Sequence, residues 1–198
     1  MSKRLAVCAS NIADCLAISE ALREANIPFN LLEPDDPCLN AVDVIVTTRE
    51  EAEKFKGLEG VKVVEAEACR ASTIAKVTLA LQGRAKFKEL LIGVDPGRSY
   101  GLAFIADSII LGLSVHREAE RVVREIKEVV KTGLFEKVVI KVGDGSPEHR
   151  DRVLSLVKEQ LRGVEVKLVS EEGSSLPAPF IKRAPRDAVS AFYLALRN

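Results

Sequence analysis

Lys88-Glu89-Leu90-Leu91-Ile92-Gly93-Val94-Asp95-Pro96-Gly97-Arg98-Ser99-Tyr100-Gly101-Leu102-Ala103-Phe104 is the stretch whose reading decides the fold. Leu90, Leu91, Ile92 and Val94 form a short apolar run, the pattern of a strand buried on both faces. The run stops at an acid and then a turn. Pro96 fixes φ and Gly97 can take positive φ, so the chain reverses there. A second apolar run, Leu102 to Ala106, follows at once. Asp95 is thus expected at the mouth of a buried strand, beside a turn whose backbone can approach a ligand. A carboxylate so placed can bind a divalent cation; the plainer alternative is that Asp95 only caps the turn.

Working outward, Ser108 to Val115 makes a third strand, and the short joins require an antiparallel meander. A helix follows from about Arg117 to Lys131, with an apolar stripe of Val122, Val123, Ile126, Val129 and Val130. Lys137 to Val142 is a fourth strand. It is entered from a helix and so expected to run parallel to the first. It ends in Gly143-Asp144-Gly145-Ser146-Pro147. Pro147 opens a helix to about Leu161. Val164 to Val169 is a fifth strand, ending in Ser170-Glu171-Glu172. A Gly-, Ser- and Pro-rich loop, 173–185, leads into a last helix carrying Asp187, Ala188, Ala191, Leu194 and Ala195.

The N-terminal part alternates strands and helices. Lys3 to Ala9, Phe29 to Leu32, Val42 to Val46 and Val61 to Val64 read as strands. Ile12 to Ala25, Arg49 to Phe55 and Thr73 to Leu81 read as helices, the first capped by Ser10 or Asn11 and the last ended by Gly83. That order predicts a small parallel sheet of flavodoxin or receiver type over residues 1–85. No glycine-rich nucleotide loop follows its first strand, which argues against a nucleotide site of either common kind. Asp14, Asp35, Asp36 and Asp43 could form an acidic pocket; loop and cap duties are the alternative. A composition change near Gln82 to Phe87 divides this domain from residues 86–198.

Composition sets limits. The chain has 198 residues, 47% of them apolar, and no run long enough to span a membrane. No signal-like core opens it, so a cytoplasmic protein is expected. Cys8, Cys15, Cys38 and Cys69 form no Cys-x-x-Cys pair and read as buried thiols. Net charge is zero, −3 up to Ala85 and +3 from Lys86 on, a weak asymmetry that does not by itself indicate nucleic acid. The abundance of charge, with two glutamines and no tryptophan, fits a thermophilic or archaeal source.

In the second half, acids end the first, fourth and fifth strands and open the last helix. Parallel first and fourth strands would bring Asp95 and Asp144 together where an open α/β sheet changes direction, the usual ligand position. Glu171 emerges one strand further along. Ala188, Ala191 and Ala195 would let the last helix lie close to the sheet and carry Asp187 over the same edge. Carboxylates so gathered repel one another unless cations neutralise them. Hard oxygen ligands suit Mg²⁺ or Mn²⁺, and two such ions about 4 Å apart can drive phosphodiester hydrolysis. Singly, each acid has an ordinary role as a cap, a turn residue or a helix-end charge. Basic residues near this edge, Arg98, Lys182, Arg183 and Arg186, could hold phosphates; the alternative is solvated surface. Phe180, in the long loop, could stack on a base or serve as a packing anchor.

Ile92-Gly93-Val94-Asp95-Pro96-Gly97 followed by Gly101-Leu102-Ala103 resembles the first strand pair of the RuvC and YqgF branch of the ribonuclease H-like superfamily. Val166-Lys167-Leu168-Val169-Ser170-Glu171-Glu172-Gly173-Ser174-Ser175 is similar to the YqgF motif Asp-Glu-Arg-x-Ser/Thr, and Arg186-Asp187-Ala188-Val189-Ser190-Ala191 to the last-helix Asp-Ala motif. The resemblance covers about residues 88–198. It implies an RNase H-like mixed five-stranded sheet and a two-metal endonuclease acting on structured or branched DNA or RNA, as a Holliday-junction resolvase does. Asp95, Glu171 and Asp187 would be the catalytic metal ligands, with Asp144 as a fourth, and a homodimer is compatible with it. The pattern departs from RuvC in its shorter turn, in Ala184 where a second helix aspartate is expected, in Asp144 for a glutamate, and in Glu172 for the motif arginine. Those departures, with the neutral charge, keep open a non-catalytic nucleic-acid- or protein-binding scaffold. An actin-like ATPase would need two copies of the domain.

Overall fold

The computed structural model describes residues 4–172 and 184–197. The chain divides into two compact units, Met1–Ala85 and Lys86–Asn198. Among the described residues no helix is long and apolar enough to cross a membrane.

The first unit is a four-stranded, all-parallel sheet of order β2-β1-β3-β4. Its elements are β1 (Leu5–Val7), α1 (Ile12–Glu24), β2 (Asn30–Leu31), β3 (Val44–Thr47), β4 (Lys62–Glu65) and α2 (Arg70–Gln82). Asn11 caps α1, its side-chain oxygen accepting from the Ala13 N–H at 2.8 Å. Gly83, at φ 68°, ends α2 in the left-handed conformation that a residue without Cβ adopts freely. Ala6, Cys8 and Ile45 pack under Leu39, Val42 and Phe55 to close one face of the sheet.

Two expectations need correction in this unit. The helix expected over Arg49–Phe55 is a 3₁₀ turn, Ala52–Phe55. Glu51, at its start, caps nothing, because its carboxylate is turned back to Ser10. Only Cys8 and Cys69 are buried; Cys38 is exposed. Two of the aspartates have the loop and cap duties read for them: Asp36 caps the Cys38 N–H at 2.7 Å, and Asp43 accepts from the Arg4 N–H at 2.7 Å.

The second unit is a mixed five-stranded sheet of order β7-β6-β5-β8-β9. Its strands are β5 (Phe87–Asp95), β6 (Tyr100–Ala106), β7 (Ile109–His116), β8 (Phe135–Gly143) and β9 (Glu165–Val169). Its helices are α3 (Ala119–Lys131), α4 (Pro147–Gln160) and α5 (Arg186–Leu196). β5, β6 and β7 form the antiparallel meander, and β8 and β9 continue from β5 in parallel. The turn at Pro96-Gly97 reverses the chain without using the left-handed freedom of Gly97, whose φ is not positive.

Alternation assigns the faces. Leu91, Ala103 and Ile105 meet Ala191, Phe192 and Ala195 of α5. Leu90, Ile92 and Val94, all inaccessible to solvent, point the other way. On that second side Tyr100 meets α4, its hydroxyl 2.8 Å from His149 Nδ1. The apolar stripe of α3 (Val122, Val123, Ile126, Val129) is buried throughout, each such side chain contributing about 1.5–3 kcal/mol by its removal from water.

Candidate functional site

Strand register levels the ends of the three parallel strands. Val94 of β5 stands opposite Val142 of β8, and Gly143 of β8 opposite Val169 of β9. Asp95 is therefore the last residue of β5, Asp144 the first beyond β8, and Glu171 the second beyond β9. Gly93 and Asp95 share the face covered by α5, since they alternate with Val94.

The helix reaches this edge because glycines let it. A Cβ on Gly93 would stand 1.8 Å from the Ala191 carbonyl oxygen, and one on Gly101 1.9 Å from that of Asp187. Backbone lies directly on backbone at both points, so no side chain can be accommodated without moving α5. Ala188, Ala191 and Ala195, all fully buried, are the helix side of the same close approach. Both ends of α5 are pinned. The Ser99 hydroxyl donates a short hydrogen bond to Asp187 Oδ2, and the buried ammonium of Lys141 donates to the carbonyl of Arg197. Lys141 sits at the carbonyl end of the helix, where a cation is favoured, although burial lowers its pKa.

Three carboxylates come together. Asp95 has a pKa raised to about 6, chiefly by burial, then by the negative charges of Glu171 and Asp187; a hydrogen bond from Ser190 opposes the rise. Glu171 lies over two glycines: a Cβ on Gly143 would stand 2.4 Å from its Oε1 and one on Gly145 2.2 Å from its Oε2. The Gly145 N–H donates to Glu171 Oε1 at 3.1 Å. Asp187 is placed by the first turn of α5 and the Ser99 hydroxyl.

Asp144 is held differently from these three. Its carboxylate accepts the Glu171 backbone N–H at 3.0 Å, its own N–H donates to Val169 at 2.9 Å, and its carbonyl accepts from Arg150 at 3.2 Å. It is exposed, and it is not among the charges that act on Asp95. It fastens the β8 turn to the chain after β9. Of the basic residues, Arg98 and Arg186 are exposed near this edge. Lys182, Arg183, Phe180 and most of the loop before α5 lie outside the described residues. His149 is bonded to Tyr100 on the opposite face of the sheet.

The donor set matches a hard divalent cation in chemistry: three carboxylates, one of them raised in pKa first by burial and then by the charges of the other two. As the side chains stand, however, no group of three or more His, Cys, Asp or Glu among the described residues is arranged to hold one. Each outer carboxylate is turned to a protein donor, Glu171 to Gly145 and Asp187 to Ser99.

Gly93, Gly101, Gly143, Gly145, Ser99 and Ser190 are the site residues that sequence reasoning passed over. A signal existed for the glycines, since each falls within two residues of an acid or at the paired end of the neighbouring strand. The two serines carried none. No protein-family model and no curated protein matches the chain.

Proposed function

We propose that the second unit is a divalent-metal-dependent phosphodiesterase of ribonuclease H-like type, acting on structured or branched nucleic acid. The observation that carries this reading is the convergence of Asp95, Glu171 and Asp187 at one sheet edge, with the pKa of Asp95 raised to about 6. Acids held together against their mutual repulsion are a binding device for positive charge. The strand order β7-β6-β5-β8-β9, with the first turn of α5 at the carboxyl end of β5, supports the same reading. So does the motif resemblance.

Asp95 is the fixed member, held on a strand between two buried neighbours. Glu171 and Asp187 flank it from the chain beyond β9 and from α5. Mg²⁺ or Mn²⁺ bound by these three would supply Lewis acidity and lower the pKa of a bound water. Asp95 must be ionised to serve as a ligand, so the site gains binding capacity as pH rises through about 6. Ser190, Ser99 and the Gly145 N–H orient the three carboxylates. The exposed Arg98 and Arg186 would take phosphates of the substrate backbone.

The test is cleavage of branched DNA, duplex DNA and structured RNA with Mg²⁺ or Mn²⁺, by the wild type and by Asp95→Asn. The expected result is metal-dependent cleavage reduced at least a hundredfold in the variant. Equal cleavage by the two proteins, or none on any substrate, overturns the reading. A second reading is a non-catalytic binding scaffold. It is favoured by the protein donors that already hold the Glu171 and Asp187 carboxylates. It predicts nucleic-acid or protein binding with no Mn²⁺ uptake by calorimetry.

A further inference from the structure

We propose that β9 is a self-complementary edge, through which two copies of this chain join their five-stranded sheets about a two-fold axis at Val166. β9 is the last strand of its sheet, and among the described residues no strand pairs with its outer side. Glu165, Val166, Lys167 and Leu168 are all exposed, Leu168 to 56%. An open edge of this kind templates pairing with another chain.

The direction of the backbone groups fixes which residues can pair. The Val169 carbonyl accepts from the Asp144 N–H, so it points toward β8. Backbone groups alternate along a strand, so Lys167 and Glu165 also point inward, while Leu168, Val166 and Val164 point to the open side. In an antiparallel pair the outward residues must face one another and exchange two hydrogen bonds per facing pair. A two-fold at Val166 does this: Val166 faces its own copy, and Leu168 faces Val164 of the second chain.

Charge then selects this register over the others. With the axis at Val166, Glu165 faces Lys167 of the other chain, and Lys167 faces Glu165. These positions alternate with the hydrogen-bonded pairs and bring side chains closest. An axis at Lys167 would set lysine against lysine, one at Glu165 glutamate against glutamate, and one at Leu168 would bring Glu165 against Glu171. Val166 is the centre within β9 that opposes unlike charges throughout. Glu165 and Lys167 already lie on one face of the strand, 3.3 Å apart. A second copy would extend them into a row of alternating sign. On the other face, Val164, Val166 and Leu168 of both chains would form one apolar strip, covering side chains that the single chain leaves in water. The axis closes the pair at two chains.

The experiment measures the mass of the full chain by sedimentation across a concentration series, with circular dichroism as the check on folding. Wild type is expected to be a dimer. Val166→Pro removes the central N–H donor, which faces the open side of β9 and has no strand partner among the described residues, and should give a folded monomer. Lys167→Glu sets four like charges together and should weaken the dimer about tenfold. The exchanged variant Glu165→Lys with Lys167→Glu keeps every unlike pair and should restore it. A monomeric wild type, a dimer indifferent to Val166→Pro, or an exchanged variant no tighter than Lys167→Glu overturns the proposal.

Discussion

Glu51 in the first unit and Asp95 in the second both stand near the carboxyl ends of parallel strands, yet their surroundings drive them in opposite directions. Glu51 is held down to a pKa of about 2. The Ser10 hydroxyl (2.5 Å) contributes most, then Lys54 (2.9 Å) and the Ser10 N–H (3.0 Å). Asp95 is raised to about 6 by burial and by two further acids, with Ser190 its opposing donor. The first edge has supplied its acid with internal partners and has nothing left to offer a cation. The second has gathered like charge, its three acids held only by hydroxyl and backbone N–H donors. Fold position alone therefore does not make a site; what distinguishes the second unit is that Asp95 is buried beside two further acids, whereas Glu51 meets a hydroxyl and an ammonium.

The largest effect should come from the glycines that permit the gathering. Gly93→Ala forces a methyl against the Ala191 carbonyl. The expected loss is about 3 kcal/mol of stability, at the upper end of over-packing penalties. Denaturant titration of the full chain measures it. A change under about 0.5 kcal/mol, the scale of an ordinary surface substitution, would mean that α5 does not rest on β5 as described.

The next effects have opposite signs in the two units. Glu51→Gln should destabilise by about 1 kcal/mol at pH 7, allowing for solvent screening. The folded pKa of Glu51 lies below its unfolded value, so its stabilisation is present above about 4.5 and fades as pH falls toward 2. Asp95→Asn should stabilise by about 1 kcal/mol at pH 7–8, again discounted for partial exposure. Its folded pKa is raised, so the wild type binds more protons folded than unfolded between about 4 and 6 and loses stability as pH rises through that window. The gain from Asp95→Asn should vanish below about pH 4. Thermal melts across pH 3–8 read both variants. The same sign for both at pH 7 would remove the contrast between the edges.

Much of this was legible in sequence because it is local. Apolar runs ended by Asp95-Pro96-Gly97, Gly143-Asp144-Gly145 and Ser170-Glu171 mark strand ends, and Ala188, Ala191 and Ala195 mark a helix that packs closely. Illegible were the pairings made across long separations. Ser10 and Glu51 are 41 residues apart, and Ser99 and Asp187 are 88 apart. Whether an acid is neutralised or left exposed to its like depends on such pairings, and spacing along the chain does not encode them. The 3₁₀ turn at Ala52–Phe55 was missed for the same reason: the residue expected in its helix is engaged elsewhere.

The smallest effects decide membership of the cluster. If Asp95 feels Glu171 more than Asp187, then Glu171→Gln should lower the Asp95 pKa further than Asp187→Asn does, both measured by carboxyl-carbon NMR titration. Ser190→Ala should move it the other way, upward, because a donor to the ionised form is lost. Asp144→Asn is the discriminating variant. Its carboxylate is spent on the Glu171 backbone N–H, and an asparagine oxygen can accept the same bond. The Asp95 titration should therefore stay where it is. A downward shift as large as that from Asp187→Asn would put Asp144 inside the cluster, and the site would then hold four acids instead of three.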